Sequence, residues 1–76
     1  MGGGTGMRPS EEVEKIKKLF PVGTRVRLIQ MDDSQAVPSG TLGTVDHIDD
    51  DGHLHMKWDN GRTLALIYGV DQFEIV

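Results

Sequence analysis

The chain has 76 residues, no cysteine, four aromatic residues and a net charge of −4 from 12 acidic and 8 basic side chains. That length carries one small domain, which buries only about 60% of its unfolded surface, and the lack of cysteine excludes a disulfide framework and a thiolate metal site. The acidic balance weighs against general nucleic-acid binding, which draws most of its affinity from phosphate neutralisation. No apolar run approaches the ~20 residues of a membrane span and no secretory signal is visible, so a monomeric cytoplasmic protein with no membrane contact is expected.

In chain order, residues 1–9 read as a disordered tail, because Met1 to Met7 is glycine-rich. The tail is either an addition to the natural chain or precedes an alternative start at Met7. Residues 10–19 read as a helix and 22–76 as a barrel, together one domain over 10–76. Ser10 is placed as the helix N-cap, with Glu11 and Glu12 in the first turn and Lys15, Lys17 and Lys18 in the last. Glu11–Lys15 and Glu14–Lys18 have the favourable i,i+4 orientation. Val13, Ile16, Leu19 and Phe20 form an apolar stripe, and Pro21 ends the helix because the residue before proline avoids α geometry. A helix this short is unstable alone and must dock on the barrel. Thr24 to Ile29 reads as the first strand, with Val26 and Leu28 inward and Arg25 and Arg27 outward. Gln30 to Gly40 has no clean period and reads as a long loop, a class of segment that is disproportionately functional in compact domains. The second strand opens over Gly40–Val45, where Gly43 marks a sharp bend or the close approach of another backbone.

Val45 to Leu66 reads as three antiparallel strands joined by two turns of the same kind. His53 to Trp58 alternates strictly, with Leu54, Met56 and Trp58 on one face and His53, His55 and Lys57 on the other. A two-residue loop at Asn60-Gly61 would oppose Leu64 to Lys57, so the apolar faces would disagree. A three-residue loop, Asp59-Asn60-Gly61, pairs Trp58 with Arg62, Met56 with Leu64 and Leu54 with Leu66, and puts Gly61 at the left-handed position of a type I turn with a glycine bulge. The loop Asp50-Asp51-Gly52 obeys the same rule and pairs Ile48 with Leu54. Val45 must then face Met56, which leaves one residue too many. The parity predicts a β-bulge at Asp46-His47, both opposite His55. Tyr68 to Gln72 reads as a tight turn, with one turn of 3₁₀ helix allowed, and Phe73 to Val76 as the last strand.

Helix, strand, long loop, three-strand meander, turn and strand describe a mainly β fold, a five-stranded SH3-like barrel with a short N-terminal helix. F-P-V-G-T-R-V at Phe20–Val26, M-D-D at Met31–Asp33, G-T-L-G-T-V at Gly40–Val45, W-D-N-G at Trp58–Gly61 and Y-G-V-D at Tyr68–Asp71 together resemble the small bacterial, archaeal and phage-associated family catalogued as domain of unknown function 4314. The resemblance runs from Phe20 to the C-terminus and departs from it at Ser34 and Val37, where proline is expected in many relatives. It implies a compact SH3-like module, often linked to mobile elements, with no catalytic residues.

Three groups of residues are candidates for chemistry. His47, His53 and His55 with Asp46, Asp49, Asp50 and Asp51 are the nearest thing to a metal constellation. The bulge brings His47 beside His55, and imidazoles with nearby carboxylates suit zinc or nickel. An ordinary solvated strand face explains the same residues, and no cofactor is expected. Asp50-Asp51-Gly52 lacks the spacing of a calcium loop. Arg25, Arg27, Lys57 and Arg62 make a basic stripe able to contact RNA or DNA, or simply the solvent face of the sheet. Met31, Asp32, Asp33, Trp58, Arg62 and Tyr68 line the long loop and the neighbouring rim as a candidate protein- or peptide-binding surface. The favoured reading of Trp58 is a core or rim residue that packs with Leu64 and stacks on Arg62, and that of Met31 a core filler. No nucleophile–base motif or phosphate loop is present, so a non-catalytic binding module for an unknown protein partner is expected, with nucleic-acid binding as the alternative.

Overall fold

The computed structural model describes residues 9–76, so the expected tail lies outside the described residues except for Pro9. One helix and five strands follow in order: α1 Ser10–Leu19, β1 Arg25–Gln30, β2 Leu42–Ile48, β3 His53–Trp58, β4 Leu66–Ile67 and β5 Gln72–Ile75. The strands form one antiparallel sheet in the order β4-β3-β2-β1-β5.

The helix has the expected bounds but a different start. Pro9, not Ser10, is the N-cap, and no side chain caps the helix. The Pro9 carbonyl accepts from the N–H groups of Glu12 (3.0 Å) and Val13 (3.1 Å), so backbone serves the role assigned to serine, and Pro9 belongs to the domain. Glu14 pairs with Lys17 at 3.7 Å, one residue nearer than anticipated. Val13, Ile16 and Phe20 are buried, whereas Leu19 is 43% exposed, because the docked stripe is narrower than its apolar run. The helix ends at Phe20, whose N–H reaches Ile16 O at 3.0 Å before Pro21 stops the ladder.

Both three-residue loops close as the parity argument requires. Gly52 N–H donates to Asp49 O (3.0 Å) and Asp49 N–H to His53 O (3.1 Å). One hairpin later, Gly61 N–H donates to Trp58 O (2.9 Å) and Trp58 N–H to Arg62 O (3.0 Å). Gly52 and Gly61 have φ of 83° and 89°, the left-handed region where a side chain is strained. Val45 pairs Met56, His47 pairs His55 and Ile48 pairs Leu54, so the bulge absorbs Asp46. On the other side β1 pairs β5 with a second irregularity around Ile29.

Val26, Gly43 and Trp58 lie in one cross-strand row. A Cβ on Gly43 would stand 2.5 Å from Trp58 Cε3, so the glycine leaves room for the indole. The close approach anticipated at Gly43 is that of a side chain, not of backbone. The indole N–H donates to Leu64 O at 2.8 Å. That carbonyl is thereby withdrawn from pairing with β3, and β4 begins at Leu66 instead of Arg62.

The sheet is open. β4 and β5 are its two edges, with no ladder between them, so a hydrogen-bonded barrel is not what forms. Only Tyr68–Asp71 separate these edges, and that segment is a turn in which Ile67 O accepts from Val70 (3.1 Å) and Asp71 (2.9 Å). A turn of this kind spans under about 7 Å, whereas five flat strands would put their edges about 19 Å apart, so the sheet must curl. Phe20 fills the seam, with ring centroids 5.7 Å from Tyr68 and 5.3 Å from Phe73. Inside the curl, Val26, Leu28, Val45, Leu54, Met56, Trp58 and Leu66 pack with Ile16, Phe20, Met31 and Val37.

Candidate functional site

The segment between β1 and β2 is irregular but tied at both ends. Gly40 N–H donates to Leu28 O (2.7 Å) and Leu28 N–H to Thr41 O (2.9 Å), which continues the β1–β2 pairing to the loop's exit. Met31 and Val37 are buried at 9% and 2% exposure, two apolar anchors that fasten the loop to the core. Between them Asp33 Oδ1 accepts from Gln35 N–H at 2.7 Å and Asp33 O from Ala36 N–H at 3.0 Å, a local aspartate turn. The Arg62 guanidinium donates to Gln35 O across the gap from the second hairpin. The rest of the tip, including Asp32, Ser34, Gln35, Pro38 and Ser39, is exposed.

Of the six residues expected on this surface, the structure therefore joins Asp32, Asp33 and Arg62. Met31 is a core anchor because its side chain turns inward where β1 ends. Trp58 is 3% exposed and spends its polar edge on Leu64, so it shapes the rim from below without facing a ligand. Its neighbour Arg62 is engaged with the loop. Tyr68 is half-buried against Phe20 at the seam.

The basic stripe is matched by carboxylates of the same chain. Arg25 donates twice to Asp59, at 2.8 and 2.7 Å, and once to Thr44 Oγ1 at 2.9 Å. The side-chain hydrogen bond that Arg25 donates to Asp59 raises the Arg25 pKa, and the same bond holds the Asp59 carboxyl below its ordinary range. Arg27 meets Glu74 at 2.7 Å and Lys57 meets Asp46 at 3.4 Å. A phosphate would have to displace three carboxylates to use these cations.

The outer face of β2 and β3 carries the histidines. His47 and His55 stack with centroids 4.4 Å apart and planes 6° from parallel. The bulge thus brings them together as expected, but lone pairs lying in two parallel planes do not converge on one ion. Each ring has its own carboxylate: His47 Nδ1 donates to Asp46 Oδ2 (2.9 Å) and His55 Nε2 to Asp49 Oδ2 (2.7 Å). Hydrogen bonds from His47 first, then Lys57, lower the Asp46 pKa. Burial pushes Asp49 up, but the His55 hydrogen bond and the backbone N–H groups of His53 and Asp51 outweigh it, leaving its pKa at about 2. Those N–H groups reach Asp49 Oδ1 at 3.0 and 2.9 Å, so Asp49 is the keystone of the first turn.

Between α1 and the end of β2 lies a cavity of about 240 Å³ lined by Lys17, Phe20, Val22, His47 and Ile48. These residues come from separate elements and no local pattern unites them, so only the docking of the helix reveals the cavity.

The family model described as Domain of unknown function (DUF4314) matches residues 9–76, nearly the whole chain and all of the described fold. The chain belongs to this family. The match covers the helix as well as the sheet, so in this family α1 is part of the domain, a wider extent than the resemblance from Phe20 onward implied. No curated protein and no solved structure matches the chain. Among the described residues, no helix is long and apolar enough to cross a membrane.

Proposed function

We propose that this domain is a cytoplasmic, monomeric and non-catalytic binding module that takes a protein or peptide segment on the tip of the Gln30–Gly40 loop and the adjoining Arg62 rim. The observation that carries the reading is the loop's anchorage. Met31 and Val37 fix it from below, Arg62 fixes it from the side through Gln35 O, and its polar tip remains exposed. A loop ordered before binding avoids much of the entropy cost of ordering on contact. The nucleic-acid reading is weaker, because Arg25, Arg27 and Lys57 already have carboxylate partners.

The test is selection of peptides from a random display library with the full chain, followed by ¹⁵N–¹H titration of the selected peptides. Amide shifts centred on residues 32–39 and 62, and lost in Arg62→Ala, are expected. Shifts confined to β1 and β5 would contradict the reading. Salt-dependent binding of short RNA or DNA that fails in an Arg25→Ala/Arg27→Ala double variant would replace it with the nucleic-acid alternative.

A further inference from the structure

The first hairpin turn holds a donor set that the binding surface does not use. Asp49, Asp51 and His53 each offer one ligand atom, all within 4.8 Å of one another. His53 Nδ1 stands 3.9 Å from Asp49 Oδ2. That separation is too long for a hydrogen bond, yet it falls under twice the ~2.1 Å bond from a first-row metal to nitrogen or oxygen. The Asp49 carboxylate presents about four lone-pair positions. The N–H groups of Asp51 and His53 take two at Oδ1 and His55 Nε2 takes one at Oδ2, which leaves one on the oxygen nearest His53.

The geometry points to a site for a divalent first-row transition ion of the zinc class at the β2–β3 turn, bound by Asp49, Asp51 and His53. An imidazole with two carboxylates suits zinc or nickel better than magnesium or calcium, which favour all-oxygen shells. His55 is a positioning residue here: its N–H holds Asp49 Oδ2, the outer-sphere contact that orients a ligating carboxylate. His47 stacks on His55 and is not a ligand, since the converging donor atoms belong to Asp49, Asp51 and His53. Three protein donors leave at least one position for water.

Zinc chloride is titrated into the full chain, with calorimetry and imidazole resonances as readouts and magnesium chloride as the comparison. One equivalent should bind with a Kd on the order of 10 μM or tighter, shifting the His53 ring and the Asp51 amide first. His53→Ala and Asp51→Asn should each weaken binding by about tenfold or more, and His47→Ala by less than about threefold. Asp51→Asn alters a half-buried turn side chain by one near-isosteric group and keeps the backbone contacts, so it reports on ligation even if His53→Ala unfolds. Binding weaker than about 1 mM, equal affinity for magnesium, or a site lost with His47 but retained without His53 or Asp51 would overturn the assignment.

Discussion

The two hairpins of the central ribbon turn through the same backbone and then diverge. Asp49–His53 and Trp58–Arg62 make matching pairs of main-chain hydrogen bonds around a left-handed glycine. The first turn leads out of a seven-residue strand that needs a bulge to keep its register, while the second is followed by three residues outside the ladder, Thr63 to Ala65, and a two-residue strand. The difference lies in what a neighbouring polar atom does. In the first turn the Asp49 carboxylate bonds the turn's own N–H groups, which reinforces the ladder. In the second, Asn60 Oδ1 accepts from Arg62 N–H at 3.0 Å, but the Trp58 indole takes the Leu64 carbonyl and the ladder lapses until Leu66. Equal turn chemistry therefore does not ensure equal strands; one buried donor decides where a strand begins.

Substitutions around the Trp58 indole should have the largest effects. Gly43→Ala forces a Cβ into the indole face and should cost about 3 kcal/mol in urea unfolding, the upper range for overpacking a core. A loss under about 1 kcal/mol would show that the ring is free to move aside. Trp58→Phe keeps an aromatic side chain but loses the pyrrole ring and its N–H, which orphans Leu64 O, and should cost about 1–2 kcal/mol for the hydrogen bond alone. With that carbonyl released, amide exchange of residues 62–65 should also change while that of residues 48–54 should not.

Gly52→Ala and Gly61→Ala should each lose about 1 kcal/mol, since both must place a Cβ at positive φ. A large disparity between them would break the equivalence of the two turns. The smallest effect separates the turns by pH. The Asp49 pKa is depressed from 3.8 to about 2, so its contribution is fully present above the unfolded value and is lost as pH falls through the folded one. The native state should lose on the order of 1 kcal/mol across that window, with solvent screening allowed for. Asp49→Asn should flatten that part of the profile, whereas Asn60→Ala should lower stability without changing its slope with pH.

The two turns and the bulge were legible in the sequence because strand parity is a counting constraint: Leu54, Met56 and Trp58 must share a face with Val45 and Leu66, and only one arrangement of extra residues allows it. The helix was legible from its charges and Pro21. The start of β4 was not, because it depends on where the Trp58 N–H points, and neither was the cap at Pro9, which is a backbone feature. The candidate surface was legible only as a loop. Met31 as a core filler and the meeting of His47 with His55 across the bulge were legible too; the reach of Arg62 to Gln35 was not, because it follows from how segments distant in sequence are brought together. The pairing of Arg25 with Asp59 and Arg27 with Glu74 spans 34 and 47 residues, a separation at which charge patterning along the chain is silent.

The most direct test of the ribbon is a nuclear Overhauser experiment on the full chain. It should find cross-strand contacts for Val45–Met56, His47–His55 and Leu54–Leu66, Asp46 without a partner of its own, and the Trp58 indole proton beside Leu64. Contacts shifted by one residue, with Asp46 opposite Met56 or Leu54 opposite Ala65, would contradict it and remove the footing of the loop surface and of the metal site alike.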